Sequence, residues 1–289
     1  MKVPLFVELC AGLASVSLML QGGKYARPPV SRMGNKHGYA LPLLRIMGLR
    51  PGQGAERYLW CEPDDGCRAL LHAYTDREVM QEAARIIRSW KDEEPRALWE
   101  RLRAEGPARV GEAREVARWA LVSSQVNAYP LGEKADGTLG NVGGGGSTWN
   151  GRDGKAQAPE SVARLLDRPT LPATVTPDAR TIEPADLPPG TVAFMDPPYV
   201  GTTGYGHDLP RSEVVALARR WHDAGARVYV SEAEPIADLV GDGWHAVEIT
   251  SQRVGQKRTF SKQQREWVTC SVEPAWRPAE QTSMFGGVS

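Results

Sequence analysis

The chain has 289 residues, 41% hydrophobic and 24% charged, with 35 basic and 35 acidic side chains. That composition can bury a sizeable core and reads as one soluble α/β domain carrying an insertion. A formal net charge of zero excludes neither nucleic-acid nor small-molecule work, since a local basic surface fits inside a neutral total. Cys10, Cys61, Cys67 and Cys270 show neither paired zinc spacing nor the disulfide framework of a secreted domain, so the expected compartment is a reducing cytoplasm.

Lys2 followed by VPLFVELCAGLASVSLML has the charge and apolar length of an export signal, but Glu8 sets a carboxylate in its middle. The stretch divides better into a strand over Val3 to Leu9, a small-residue turn over Cys10 to Ala14 and a helix over Ser15 to Gln21. Such a turn lets backbone approach a bound cofactor closely, with helix N–H groups pointing at a carboxylate or phosphate. The G-x-G-x-x-G of dinucleotide folds is incomplete here, and an ordinary βα turn reads the same. RYLWCEPDD, residues 57 to 65, is a second apolar strand ending in acids. An acid at that strand end suits ribose hydroxyls, with Glu62 preferred over Asp64; the alternative is a surface turn that happens to be acidic.

Residues 76 to 128 carry Arg, Glu, Ala and Leu at helical spacing, a pattern of solvated helical faces. Residues 136 to 154 are too glycine-rich for a helix or regular strand, and the Pro-rich stretch that follows, to Pro189, reads as loop or linker. Thr191 to Met195 is a short buried strand that must stop at Asp196, because Pro197 and Pro198 have no N–H to donate. Asp196, the Pro197 carbonyl and the Tyr199 ring therefore stand at a strand end, where open α/β sheets place ligands. Glycines between 201 and 211 suit a closing loop. Ser212 is expected to cap a helix that ends before Gly225, followed by a parallel strand over Arg227 to Ser231. Arg253, Lys257, Arg258, Lys262 and Arg265 form an acid-free basic run suited to phosphates, or a solvated hairpin. The polar tail after Pro274 is expected to be poorly ordered.

FVELCAGLASVSL, YLWCEPD and AFMDPPY, in that order, resemble the cofactor loop, ribose acid and catalytic motif of the Dam-like (D12 class) S-adenosylmethionine-dependent N6-adenine DNA methyltransferases. ARVYVSEAEPI resembles the family's strand after the catalytic helix, and SQRVGQKRTFSKQQREWVTC its C-terminal hairpin. GTLGNVGGGGSTWNGR is loosely similar to the loop before the catalytic strand. SRMGNKHGYALPLL resembles the lysine-bearing N-terminal motif but follows the cofactor loop here, with Lys36 a candidate cofactor ligand or part of a basic loop. Ala14 and Cys10 stand where the family has a second glycine and an aromatic residue.

The resemblance implies a doubly wound, mostly parallel, seven-stranded methyltransferase-type (Rossmann-like) sheet. Its catalytic domain would comprise residues 1–72 and 185–275, with a helical and Gly-rich recognition insertion at 73–184 and a flexible tail at 276–289. It implies S-adenosylmethionine held by Glu8, Cys10, Ala11, Gly12, Ala14, Ser15, Lys36, Glu62, Pro63 and Asp196, and DNA as partner, with no metal and no membrane. Catalysis falls to Asp196, Pro197, Pro198 and Tyr199: two acceptors, the Asp196 carboxylate and the Pro197 carbonyl, localise the lone pair of a flipped adenine amine while Tyr199 stacks on the base. The same site fits RNA adenine or, less directly, N4 of cytosine. A binding protein that has kept the fold and lost turnover is the reading from a different class.

Overall fold

The computed structural model describes residues 1–29, 36–105, 111–124, 131–133, 139–141, 159–199, 209–249 and 266–278. In chain order the N-terminal part contains β1 (Val3–Leu9), α1 (Ser15–Gly22), a 3₁₀ turn (Lys36–Gly38), α2 (Ala40–Ile46) and β2 (Ala55–Cys61). The middle contains α3 (Asp65–Ala73), α4 (Arg77–Ser89), α5 (Pro95–Ala104), α6 (Ala113–Ser124), β3 (Leu131–Glu133), β4 (Leu139–Asn141), α7 (Pro159–Leu166) and β5 (Ala173–Thr176). The last part contains β6 (Val192–Met195), α8 (Arg211–Asp223), β7 (Arg227–Glu232), α9 (Ala237–Gly241), β8 (His245–Ile249) and β9 (Glu266–Cys270).

Seven strands form one sheet in the order β5-β2-β1-β6-β7-β9-β8, and β3 and β4 make a separate antiparallel pair. The first five run parallel, while β9 lies antiparallel to both β7 and β8. From β1 the chain winds one way, through α1 and α2 to β2 and on to β5; from β6 it winds the other way, through α8 to β7. Parallel crossovers are right-handed, so opposite directions of winding place their helices on opposite faces. The core records this in two layers. Phe6, Tyr58 and Trp60 pack with Leu20, Leu43 and Leu44 on one face, and Val7, Leu9 and Met195 pack with Val215 and Trp221 on the other. Neighbours Phe6 and Val7 fall in different layers because side chains alternate along a strand.

The winding reverses between β1 and β6, which are paired from Phe6↔Val192 to Leu9↔Met195. At such a switch point the chains leave the sheet to opposite faces and open a crevice at the carboxyl ends of the strands. The turn after β1 and the Asp-Pro-Pro-Tyr turn after β6 share that crevice, joined by the Asp196 N–H donating to Leu9 O at 3.2 Å.

Several local expectations are corrected. The Pro-rich stretch read as loop holds α7 and an edge strand: Tyr58 N donates to Pro172 O at 2.9 Å and β5 then pairs with β2. Prolines at 172 and 177 frame only four strand residues, too few to show a period. Within the glycine-rich segment, Leu139–Asn141 forms a short strand against Leu131–Glu133. α8 begins at Arg211 with Pro210 at its N-cap and no side-chain cap, so Ser212 lies inside the helix, whereas Gly225 follows its end at φ +95° as expected. Past Pro274 the first residues are docked: Ala275 N donates to Ile46 O at 2.9 Å, Arg277 Nη1 donates to Ala246 O at 3.3 Å, and Arg45 lies over the Trp276 ring.

Helices of the middle interval share the core layer of α1 and α2 rather than forming one of their own. α3 and α6 approach closely at Gly66, where an added Cβ would lie 2.0 Å from the Trp119 ring. In its described residues, the interval expected as a recognition insertion at 73–184 contributes α4, α5, α6 and α7 to the core layer of α1 and α2.

Candidate functional site

β1 must turn into α1 within five residues, and the backbone does so by left-handed conformations at Cys10 (φ +62°), Gly12 (φ +54°) and Ala14 (φ +50°). For the two residues with a Cβ this costs roughly 1–2 kcal/mol each, and it explains why glycine suits position 14. Ala11 N donates to Cys61 O at 2.7 Å and Ala14 N to Ala11 O at 2.8 Å, which ties the turn to β2. Space in front of Gly12 is open, since an added Cβ would meet nothing within 4 Å. The turn therefore offers backbone to the crevice.

Glu62, buried at the end of β2, faces this turn: Oε2 accepts the Gly12 N–H at 2.7 Å and Oε1 the Asp64 N–H at 3.1 Å. Asp64 is employed elsewhere, its carboxylate capping α3 through Cys67 N at 2.9 Å. Pro63 between them gives its carbonyl to Arg68 at 2.7 Å. The Cys10 thiol is held far above its ordinary pKa by burial and by the charges of Glu62, Cys61, Asp196 and Asp178, which leaves it protonated and poorly suited to act as a nucleophile.

α1 starts without a capping side chain at Ala14, and Glu8 supplies the acceptor from β1, taking the Ser17 N–H on Oε1 at 2.6 Å. The helix N-terminus expected to meet a ligand's anion thus already meets the chain's own carboxylate. Ser17 Oγ in turn accepts the Trp60 indole N–H at 2.9 Å. Burial raises the Glu8 pKa to about 7 against the lowering effect of the Ser17 bonds. Because the folded pKa lies above the unfolded one, Glu8 favours folding most at low pH, and that contribution is lost as pH rises from about 4.5 through about 7. Replacement Glu8→Gln keeps an acceptor for Ser17 and removes the buried charge. The expected result is a gain of about 3 kcal/mol at pH 8, from 1.36 kcal/mol per pKa unit, and none at pH 4. Urea titrations of both proteins at the two pH values check this, and an equal gain at both would refute it.

Across the crevice, Asp196 is partly buried, with 17% of its side chain exposed, and its pKa is raised to about 6 by loss of water around it and by Glu266, against the lowering effect of Lys36 and Ser231. Lys36 Nζ lies 2.7 Å from Asp196 Oδ1, 3.6 Å from Glu266 Oε1 and 4.7 Å from the Tyr199 ring centre. Burial works against the Lys36 charge, but Asp196, Tyr199 and Glu266 together outweigh it and hold the ammonium well above its usual pKa. Tyr199 OH meets Ser231 Oγ at 2.9 Å and donates to Glu266 Oε1. Ser231 Oγ also meets Glu266 Oε1 at 2.7 Å and Asp196 Oδ1 at 3.2 Å. Lys36 and Ser231 both use Oδ1, so among the described residues Oδ2 keeps its lone pairs.

The sequence-predicted residues fall into two groups. Glu8, Cys10, Ala11, Gly12, Ala14, Ser15, Glu62 and Pro63 gather around the β1 turn, and Asp196 to Tyr199 form the adjoining turn after β6. Lys36 joins the second group, paired with Asp196. Arg253, Lys257, Arg258, Lys262 and Arg265 lie outside the described residues. Ser231 and Glu266 were missed. Their signal was parity: Glu266 shares its strand face with buried Val268 and Cys270, and Val268 pairs with Ser231 on β7, which makes Ser231 and Glu266 diagonal neighbours.

Among the described residues no group of three or more His, Cys, Asp or Glu is placed to hold a metal ion, and no helix is long and apolar enough to cross a membrane. Comparison with protein-family models and with curated proteins finds no match to the chain.

Proposed function

We propose that the chain is an S-adenosylmethionine-dependent methyltransferase acting on the N6 amine of a flipped adenine in DNA. One observation carries the reading: at the switch point of a doubly wound seven-stranded sheet, the Asp-Pro-Pro-Tyr turn stands directly beside a backbone-lined turn and the acid at the end of β2. The residues fit the cofactor. Open space at Gly12 admits a ligand against backbone, and the Glu62 carboxylate beside it can exchange backbone N–H partners for ribose hydroxyls. When bound, S-adenosylmethionine supplies an electrophilic methyl group on a positively charged sulfur.

Chemistry at the amine then falls to the protein. Adenine's exocyclic nitrogen is a weak nucleophile because its lone pair is delocalised into the ring. Asp196 Oδ2 and the Pro197 carbonyl each accept one amine N–H, drawing the nitrogen toward tetrahedral geometry and aiming its lone pair. Two prolines fix the carbonyl's direction. Lys36 keeps Asp196 ionised above about pH 6 and anchored through Oδ1. Tyr199, held by Ser231 and Glu266, offers a ring for stacking. We assign DNA contact to the basic run from Arg253 to Arg265 and sequence readout to the region between β2 and β6. Four free thiols suit a reducing cytoplasm.

Incubation with methyl-labelled S-adenosylmethionine and, separately, duplex DNA, single-stranded DNA or RNA, followed by nucleoside analysis, tests the proposal. N6-methyladenine from DNA is the expected product. N6-methyladenine from RNA alone, or N4-methylcytosine, would reassign the substrate, and cofactor or nucleic-acid binding without any transfer would leave a binding protein.

A further inference from the structure

Ser231 and Glu266 are buried polar residues that the amine chemistry above does not use as acceptors. Among the described residues, their oxygens meet those of Tyr199 and Asp196: Tyr199 with Ser231, Tyr199 with Glu266, Ser231 with Glu266 and Ser231 with Asp196. Each contact is a hydrogen bond only while a proton lies in it, and the two hydroxyls supply two protons. The contacts are continuous from Asp196 Oδ1 through Ser231 Oγ to Glu266 Oε1.

We propose, resting on the methyltransferase reading, that Ser231 and Glu266 are a relay that takes the amine proton away from Asp196 after methyl transfer. As nitrogen's lone pair forms the bond to the methyl carbon, the carbon–sulfur bond breaks and its electron pair goes to sulfur; one N–H bond then breaks, its electron pair returns to nitrogen as the lone pair, and the proton bonds to Asp196 Oδ2. A half turn of the carboxyl, in which Lys36 exchanges Oδ1 for Oδ2, brings that O–H to Ser231 Oγ. Ser231 accepts the proton as its own O–H proton passes to Glu266 Oε1, which leaves Asp196 ionised and Glu266 protonated.

Charge also balances. Before transfer the cluster of Asp196, Glu266 and Lys36 carries one net negative charge opposite a positively charged methyl donor; afterwards the donor is neutral and so is the cluster. Of the other groups facing Asp196, Lys36 is already an ammonium, and the Cys10 thiol and Tyr199 hydroxyl, both raised well above their ordinary pKa by burial first, keep their protons. Glu8 on β1, with its pKa raised to about 7 by burial, is a second carboxylate near Asp196, but its contacts lead to Ser17 on α1 and not to Ser231 or Glu266. Asp196, with its pKa raised to about 6, binds a proton readily enough to receive it and weakly enough to pass it on.

The test uses full-length wild type, Ser231→Ala, Ser231→Thr and Glu266→Gln. Single-turnover methyl transfer to duplex DNA should slow about 10²-fold in Ser231→Ala and Glu266→Gln, the lower end of the range for a positioned proton-transfer group. Added imidazole should restore much of that loss, S-adenosylmethionine affinity should not change, and Ser231→Thr should retain the rate. A second readout needs no turnover: the ¹³C-carboxyl resonance of Asp196 should titrate at higher pH in Ser231→Ala and at lower pH in Glu266→Gln, following the opposite influences of those groups on it. Wild-type protein that transfers methyl groups, with both variants equally fast or slowed without imidazole rescue, overturns the relay alone. Wild-type protein that transfers none overturns the methyltransferase reading and the relay with it.

Discussion

Asp196→Ala should lose methyl transfer by about 10³-fold or more, since loss of one preorganised hydrogen-bonding group at a reacting centre costs 10²–10³ and Asp196 is one of only two. The substitution also strands Lys36, whose ammonium lies 2.7 Å from Asp196 Oδ1 and 3.6 Å from Glu266 Oε1. Glu266 remains as partner, so the protein should fold with a lowered midpoint. Asp196→Asn separates the two effects: it keeps the shape and an acceptor oxygen, yet should be nearly as inactive, because an amide is a far weaker acceptor than a carboxylate. Cofactor affinity by calorimetry should survive in both variants. Turnover by either at the wild-type rate would end the assignment of Asp196.

A second large effect is expected far from the chemistry. Arg118 on α6 is wholly buried, pairs with Glu115 Oε2 at 2.8 Å and donates to Leu102 O at 3.3 Å and to Glu105 O at the end of α5. It is both a charge partner and the hydrogen-bond donor that fastens α5 to α6. Arg118→Ala removes its stem from the core, leaves the buried Glu115 carboxylate unpaired and takes a donor from two carbonyls. Breaking such a pair costs about 3–5 kcal/mol, so chemical denaturation should show a large loss of stability. Because these helices share a core with α1 and α2, the loss should appear as a lower midpoint of the whole transition rather than as a separate early phase. An exposed pair is the control: Arg85→Ala, opposite Glu82, should leave the midpoint where it was. An unshifted midpoint in Arg118→Ala would mean that the helices relax around the loss.

Much of the site was legible because its residues are local in the chain. Asp196 could be placed at a strand end from its own prolines, and the turn after β1 from its small residues, since both depend on backbone sterics acting over a few positions. Glu62 could be preferred but not separated in role from Asp64; only the fold turned one toward Gly12 and made the other a helix cap. β5 was missed because four residues between prolines carry no usable period, and its identity as a strand comes from the partner waiting at β2. Lys36 was legible as a basic residue beside a motif, while its partner, 160 positions away, was not.

By itself, then, the sequence determined where strands must stop, which residues must adopt tight turns, and that the chain alternates strands with helices, because each of these follows from φ limits, missing N–H groups or a short-range hydrophobic period. Only the tertiary structure decided which strand ends meet. The reversal of winding between β1 and β6 brings the turn at Gly12 to the turn at Asp196, and the antiparallel insertion of β9 beside β7 carries Glu266 to Ser231. Those meetings are set by right-handed crossovers and by burial of two apolar layers, properties of the whole sheet that no single segment encodes. The buried charges follow the same rule: a carboxylate such as Glu8 or Asp196 is ordinary in the chain and acquires its raised pKa only when the packed sheet removes the water around it.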